Sequence, residues 1–288
     1  MSYREQAVRI RCGSCWLYGV LSLPEAPCTR GVLVAVGGPQ YRAGSHRQFV
    51  LLTRDLARQN IACLRLDFRG MGDSEGEMRS FEEVDEDIAS AVDFFLKECP
   101  FLQDVVIWGL CDAASAAMFY AQQDTRISGL VLLNPWVRTE QGIAKAYLRH
   151  HYLTRLFQVE FWKKLVSGQF DPIASLHSLY AMTKSLFLVS NTPSKSENAD
   201  IPCGKLPLPE RMLDSLKHFH GKTLIITSGK DMTAREFLDL TNNSNDWQNT
   251  FKAKQVKLSH LAAANHTFST REWRDQVVKL TENWLRSW

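Results

Sequence analysis

Apolar and polar residues alternate along Trp16-Leu17-Tyr18-Gly19-Val20-Leu21-Ser22-Leu23 until Pro24 and Pro27 break the pattern, which predicts an antiparallel hairpin over the first 25 or so residues. From residue 31 the alternation gives way to short unbroken apolar runs, as expected for strands buried on both faces of a parallel sheet. The runs lie at 32–36, 61–66, 105–108, 130–133 and 224–227, with a weaker one at 255–258. Between them the period becomes helical. Residues 46–59 bring Phe49, Leu52, Leu56 and Ala57 to one face, and residues 80–97 open on Ser80 with Glu83 three positions on, the pattern of a capping box. Strands alternating with helices predict an α/β protein: a mostly parallel sheet, right-handed crossovers and helices on both sides.

The rhythm stops between Pro135 and about Gly221, where the sequence is helix-like and rich in Tyr, Leu, His, Trp and Lys. The expected organisation is a core of residues 1–137 and 221–288 with a helical cap, 138–220, inserted into it. Within the cap, residues 192–209 hold four prolines and read as a loop, 186–189 is ambiguous between strand and helix, and Tyr147, Tyr152, Phe157 and Trp162 are candidate pocket-lining aromatics.

Composition narrows the partners. The 288 residues are 45% hydrophobic and 23% charged, with 34 basic against 31 acidic side chains and a net charge of +3, the profile of a globular protein. No run of like charges is long enough for a nucleic-acid arm, so nucleic acid is not an expected partner. No segment approaches the roughly 18 uninterrupted apolar residues of a membrane span, and the N-terminus lacks an apolar signal core, which reads as a cytoplasmic protein. The seven cysteines, at 12, 15, 28, 63, 99, 111 and 203, are odd in number and scattered, the pattern of reduced thiols. Cys12 and Cys15 have redox spacing but no second pair to complete a zinc site, and the acidic group Glu82, Glu83, Asp85, Glu86 and Asp87 suits the start of a helix on a solvated face. Neither metal nor cofactor is implied. The oligomeric state is not indicated.

The strongest local signal is Val105-Val106-Ile107-Trp108-Gly109-Leu110-Cys111-Asp112-Ala113-Ala114-Ser115-Ala116, a buried strand passing through a glycine into a helix of small residues. A nucleophile elbow needs small residues two before and two after the nucleophile, because the turn strains that residue and crowds its neighbours. Gly109 and Ala113 meet the demand and Cys111 takes the nucleophile position, at a helix N-terminus that favours a thiolate. The plain alternative is a buried cysteine behind a tight turn. Order supplies the partners. In α/β-hydrolase sheets the chain order is nucleophile, acid, histidine, each beyond the end of a strand. Here Asp231 follows the run at 224–227 and His266 follows the last strand, although Asp231 also reads as the N-cap of a helix beginning near Thr233.

Gly37-Gly38-Pro39-Gln40-Tyr41, beyond the first buried strand, sits where an oxyanion loop belongs, with the main-chain N–H groups of Gln40 and Asp112 as its donors. Gly38, Tyr41, His46 and Arg47 are candidate substrate contacts, with Ser45 capping a helix whose exposed first turn holds His46 and Arg47 as the plain alternative. Asp67-Phe68-Arg69-Gly70-Met71-Gly72-Asp73-Ser74-Glu75-Gly76 looks like a dinucleotide loop, but its last two glycines are four apart and no helix opens at once.

These segments resemble the α/β-hydrolase superfamily over nearly the whole chain. Residues 37–49, 67–76 and 108–116, together with Asn134-Pro135-Trp136-Val137-Arg138-Thr139-Glu140, are similar to the exosortase A system-associated hydrolase 1 family. That resemblance implies a bacterial setting beside exopolysaccharide biosynthesis genes and no particular substrate. The elbow cysteine resembles that of dienelactone hydrolase. The expected activity is hydrolysis of an ester, thioester or related acyl bond of a small molecule, through Cys111, His266 and Asp231 and a covalent thioester. Acyl transfer by the same residues and a non-catalytic scaffold are the alternatives.

Overall fold

The structure, a computed structural model, describes residues 2–38, 40–137 and 206–288. The expected cap through residue 205, its aromatic candidates, the stretch 186–189 and Pro39 lie outside the described residues.

Eight strands form one sheet in the order β1-β2-β4-β3-β5-β6-β7-β8. The predicted hairpin is β1 (Tyr3–Cys12) against β2 (Cys15–Pro24), and β2 pairs antiparallel with β4 (Ala62–Leu66). The other pairings, among β4, β3 (Arg30–Ala35), β5 (Asp104–Leu110), β6 (Ile127–Leu133), β7 (Lys222–Lys230) and β8 (Lys257–Asn265), are parallel. Helices α1 (Gln48–Arg58), α2 (Asp85–Glu98) and α3 (Asp112–Ala121) fall between the strands of the first half. The second half carries α4 (Leu208–His218), α5 (Met232–Asn242), α6 (Asn245–Ala253) and α7 (Arg271–Leu285).

The unbroken apolar runs have a simple cause. Successive strand residues point to opposite faces, and both faces are covered. Leu33 and Ala35 enter the core packed by α2 and α3, while Val32 and Val34 enter the core packed by α1 and α7. β5 divides in the same way, with Val105 and Ile107 on one side and Val106, Trp108 and Leu110 on the other.

Two expectations need correcting. The inserted segment was placed as far as 220, but α4 belongs to the same compact unit as the sheet, with Met212 and Leu216 buried in the core beside α3. Its polar exposed face disguised a core helix. Ser80 and Glu83 bond to each other, Ser80 Oγ donating to Glu83 at 3.1 Å, but they close a turn that precedes α2, which starts only at Asp85 with no side-chain cap. The acidic residues around it are taken up by neighbours: Glu82 meets Arg211, Glu86 meets Arg69 and Asp85 accepts from Gln123.

Candidate active site

β5 ends at Leu110 and α3 starts at Asp112, which leaves Cys111 alone in the turn with φ 62° and ψ −124°. A residue with a side chain held there costs on the order of 1–3 kcal/mol, so the surroundings must enforce it. They do so through three main-chain bonds: Cys111 N–H donates to Leu133 O at 2.9 Å, and Cys111 O accepts from Ala114 at 3.1 Å and Trp136 at 3.2 Å. Gly109 is required as well, since a β-carbon there would stand 2.6 Å from the carbonyl oxygen of Ala113.

His266, in the turn after β8, bonds through Nδ1 to Asp231 Oδ2 at 2.9 Å, and Cys111 lies near enough to influence its ring. The three predicted residues thus meet from the ends of three strands. Asp231 also caps α5, accepting from Thr233 N at 3.2 Å and Ala234 N at 3.1 Å. Asp231 therefore caps the helix and holds the histidine at once, because one oxygen serves the helix alone and the other serves helix and histidine together. Burial raises the Asp231 pKa, but the bonds from His266 and from the two amides outweigh it and hold the carboxyl below its usual range. An ionised carboxylate can only accept, so Nδ1 carries a proton. The bond to Asp231, then the nearby Cys111, push His266 up to about 10 against the desolvation that opposes it.

The loop after β3 is tied to the elbow by the Asp112 side chain, which accepts from Gly38 N–H at 2.8 Å and Ala113 N–H at 3.0 Å. The carboxylate fills the space a Gly37 side chain would need. Gly38 is thereby committed to Asp112, while the main-chain N–H groups of Gln40 and Asp112 have no acceptor among the described residues. Tyr41 is 53% exposed. His46 and Arg47 are exposed too, in a short 3-10 turn, Ser45–Arg47, where both adopt positive φ of 53° and 57°. Ser45 makes no side-chain cap, which corrects the plain reading of this segment, and Arg274 donates to the His46 carbonyl at 2.9 Å.

A family model for serine aminopeptidase, S33, matches residues 27–236, from just before β3 into α5. The chain belongs to that family of α/β-hydrolases. Among solved structures, a Pyrococcus furiosus esterase has a TM-score of 0.66 at 14% identity, over 99% of this chain and 91% of its own. A dienelactone hydrolase from Anabaena variabilis gives 0.60 at 15%, over 99% and 98%. Est1E from Butyrivibrio proteoclasticus, with ferulic acid bound, gives 0.60 at 17%, over 97% and 98%. At such identities the likeness speaks for the fold, which is that of the α/β-hydrolases. No curated protein matches in sequence. The S33 family is named for serine chemistry, whereas this elbow carries a cysteine.

One residue of this S33 member was missed as a participant. Asn134, fully buried at the end of β6 with φ 43°, donates to the His266 carbonyl at 3.0 Å and accepts from Ser228 N–H at 2.8 Å. It fastens the histidine turn to β6 and β7. Asparagine tolerates the left-handed region better than most residues, and Asn134-Pro135 just beyond a buried strand was the available signal. The Asp67–Gly76 loop, by contrast, is scaffold. Asp67 accepts from Arg42, whose other guanidinium nitrogen holds Asp73 at 2.5 Å, and Arg69 pairs with buried Asp87 at 2.5 Å.

Proposed function

We propose that this S33-family protein hydrolyses an ester, thioester or related acyl bond with Cys111 as its nucleophile. The observation that supports the reading most is His266 bonded to Asp231 and standing near Cys111, which itself sits at a strained strand-to-helix turn. In this mechanism the proton given up by the Cys111 thiol resides on His266 as an imidazolium, and the sulfur attacks the acyl carbon. The resulting oxyanion lies against the free N–H groups of Gln40 and Asp112. His266 then gives its proton to the leaving group as the C–O or C–S bond breaks, leaving a thioester on Cys111. A water, deprotonated by His266, attacks the thioester, the acid departs, and the proton returns to sulfur. Asp231 keeps the imidazole in one tautomer and balances its charge. Gly38, Tyr41, His46 and Arg47 would flank the incoming substrate.

The resemblance of residues 37–49, 67–76 and 108–116 to the exosortase A system-associated hydrolase 1 family supports a role beside exopolysaccharide assembly. Among the described residues no helix is long and apolar enough to cross a membrane. The test is to incubate the protein with an activated aryl ester, quench in acid and map the adduct by peptide mass, beside His266→Ala. An adduct confined to Cys111 and strongly reduced in His266→Ala is expected. Labelling scattered over the other cysteines, or undiminished without His266, would sink the reading, and release accelerated by an added amine or alcohol would redirect it to acyl transfer.

A further inference from the structure

A carboxylate stands directly beside the candidate nucleophile. Asp112 follows Cys111 at the start of α3, and among the described residues its hydrogen-bond partners are main-chain N–H groups, with no cationic side chain paired to it. A fixed negative charge there opposes both a thiolate and a developing oxyanion. What it holds is the loop after β3: Oδ2 accepts from Gly38 N–H at 2.8 Å and Oδ1 from Ala113 N–H at 3.0 Å. The sequence makes room for this contact. Gly37 has no positive φ to explain it, but a β-carbon there would stand 2.0 Å from Asp112 Oδ1 and 2.8 Å from the Ala113 nitrogen. Gly38 has φ 58° and nothing within 4 Å of where its β-carbon would be, so its demand is conformational. One glycine admits the carboxylate, and the next presents its N–H to it.

The far end of the loop is fastened separately. Arg42 N–H donates to the buried carboxylate of Asp67 at 2.5 Å, and the Gln40 side chain accepts from Ser45 N–H at 3.4 Å. Gln40 therefore lies midway between two anchored residues, Gly38 and Arg42, and its own main-chain N–H has no acceptor among the described residues. A donor aimed at an oxyanion is most effective when it is fixed before the charge develops, because no reorganisation then accompanies the reaction. Released at the Gly38 end, the span would let the Gln40 N–H drift, and a displacement of about 1 Å can cost about 10²-fold in rate.

We infer that the Asp112 side chain is a positioning group for the oxyanion loop, setting the Gln40 N–H through its bond to Gly38. The inference rests on the acyl chemistry proposed for Cys111. One residue then supplies one donor to the oxyanion through its main chain and places the other through its side chain. Both carboxylate oxygens already accept N–H bonds, which lessens their repulsion of the oxyanion.

Two reactions of Cys111 separate this role from a merely structural one. Acylation by p-nitrophenyl acetate passes through an oxyanion, whereas alkylation by iodoacetamide, in which sulfur displaces iodide from a saturated carbon, does not. Both are followed at Cys111 by peptide mass in the full-length protein. Asp112→Ala is expected to slow acylation by about 10²-fold and to leave alkylation equal or faster, since a negative charge beside the thiol is gone. Asp112→Asn, which keeps an oxygen for the Gly38 N–H, should recover most of the acylation rate. Gly37→Ala keeps the charge but drives the carboxylate from its place, and should slow acylation alone. Acylation as fast in Asp112→Ala as in wild type, a parallel loss of both reactions, or Asp112→Asn no faster than Asp112→Ala overturns the inference. A wild-type protein that is alkylated at Cys111 but never acylated there overturns the acyl reading itself, and the inference with it.

Discussion

Two segments that turn with the help of glycine lie at the ends of buried strands in this protein, and they end differently. In the Asp67–Gly76 loop nearly every polar group is consumed internally: Asp67 by Arg42 and by the Asp73 N–H at 3.2 Å, Ser74 Oγ by the Asp67 carbonyl at 2.7 Å, Arg69 by Asp87. At the elbow the chain holds Cys111 in strain, and the N–H groups of Asp112 and Gln40 have no acceptor among the described residues. A glycine-rich motif is thus common to scaffold and site. What separates them is a cysteine held in strain and two main-chain donors that have no acceptor among the described residues.

Replacing residues on each side should break the comparison cleanly. Cys111→Ala is expected to lower aryl-ester turnover by about 10⁴-fold or more, with thermal stability unchanged or slightly raised, as read by steady-state kinetics and a melting curve. Asp231→Asn comes next, at about 10³-fold in turnover. Asparagine caps helices as well as aspartate does, so any stability lost in urea unfolding reports the bond to His266, and unchanged turnover would assign Asp231 to the helix alone. Asp87→Asn should reverse the pattern. Breaking its buried pair with Arg69 should cost about 3 kcal/mol in urea unfolding while kcat of the folded fraction stays near wild type.

The pH dependence of stability offers a smaller, signed test. His266 holds its proton to about 10 in the folded chain and to about 6.5 unfolded. Below about 6.5 both states are protonated and the full contribution is present. Between the two values the folded state binds the extra proton, so stability should fall as pH rises through that window. His266→Gln should flatten this decline in melting curves taken from pH 6 to 10. Smallest of all, Asp73→Asn removes the exposed half of the Arg42 bridge and should cost no more than about 0.5 kcal/mol. A large effect there would bring the loop into the site.

Much of this was legible from local pattern. Val32, Val34, Leu33 and Ala35 form an apolar run because each face of β3 has its own core, and Gly109 and Ala113 are small because the elbow brings them into contact. β8 was read too short and too early, since it is an edge strand whose Ala262 and Ala263 are exposed and only Ala264 is buried. Alanines there carry no strand signature. The Ser80–Glu83 box misled because the same short-range bonds close a turn as readily as they start a helix.

The sequence by itself determined the parallel sheet, the elbow at Cys111 and the chain order that made Asp231 and His266 its partners, because periodicity and small-residue spacing are local properties. The tertiary structure alone decided that Asp231 caps a helix and orients a histidine at once, that Asn134 pins the His266 turn, and that the Asp112 side chain clamps the loop at Gly38. Each of these joins residues from different strands or helices, and such distances exist only once the sheet has folded and brought its strand ends together.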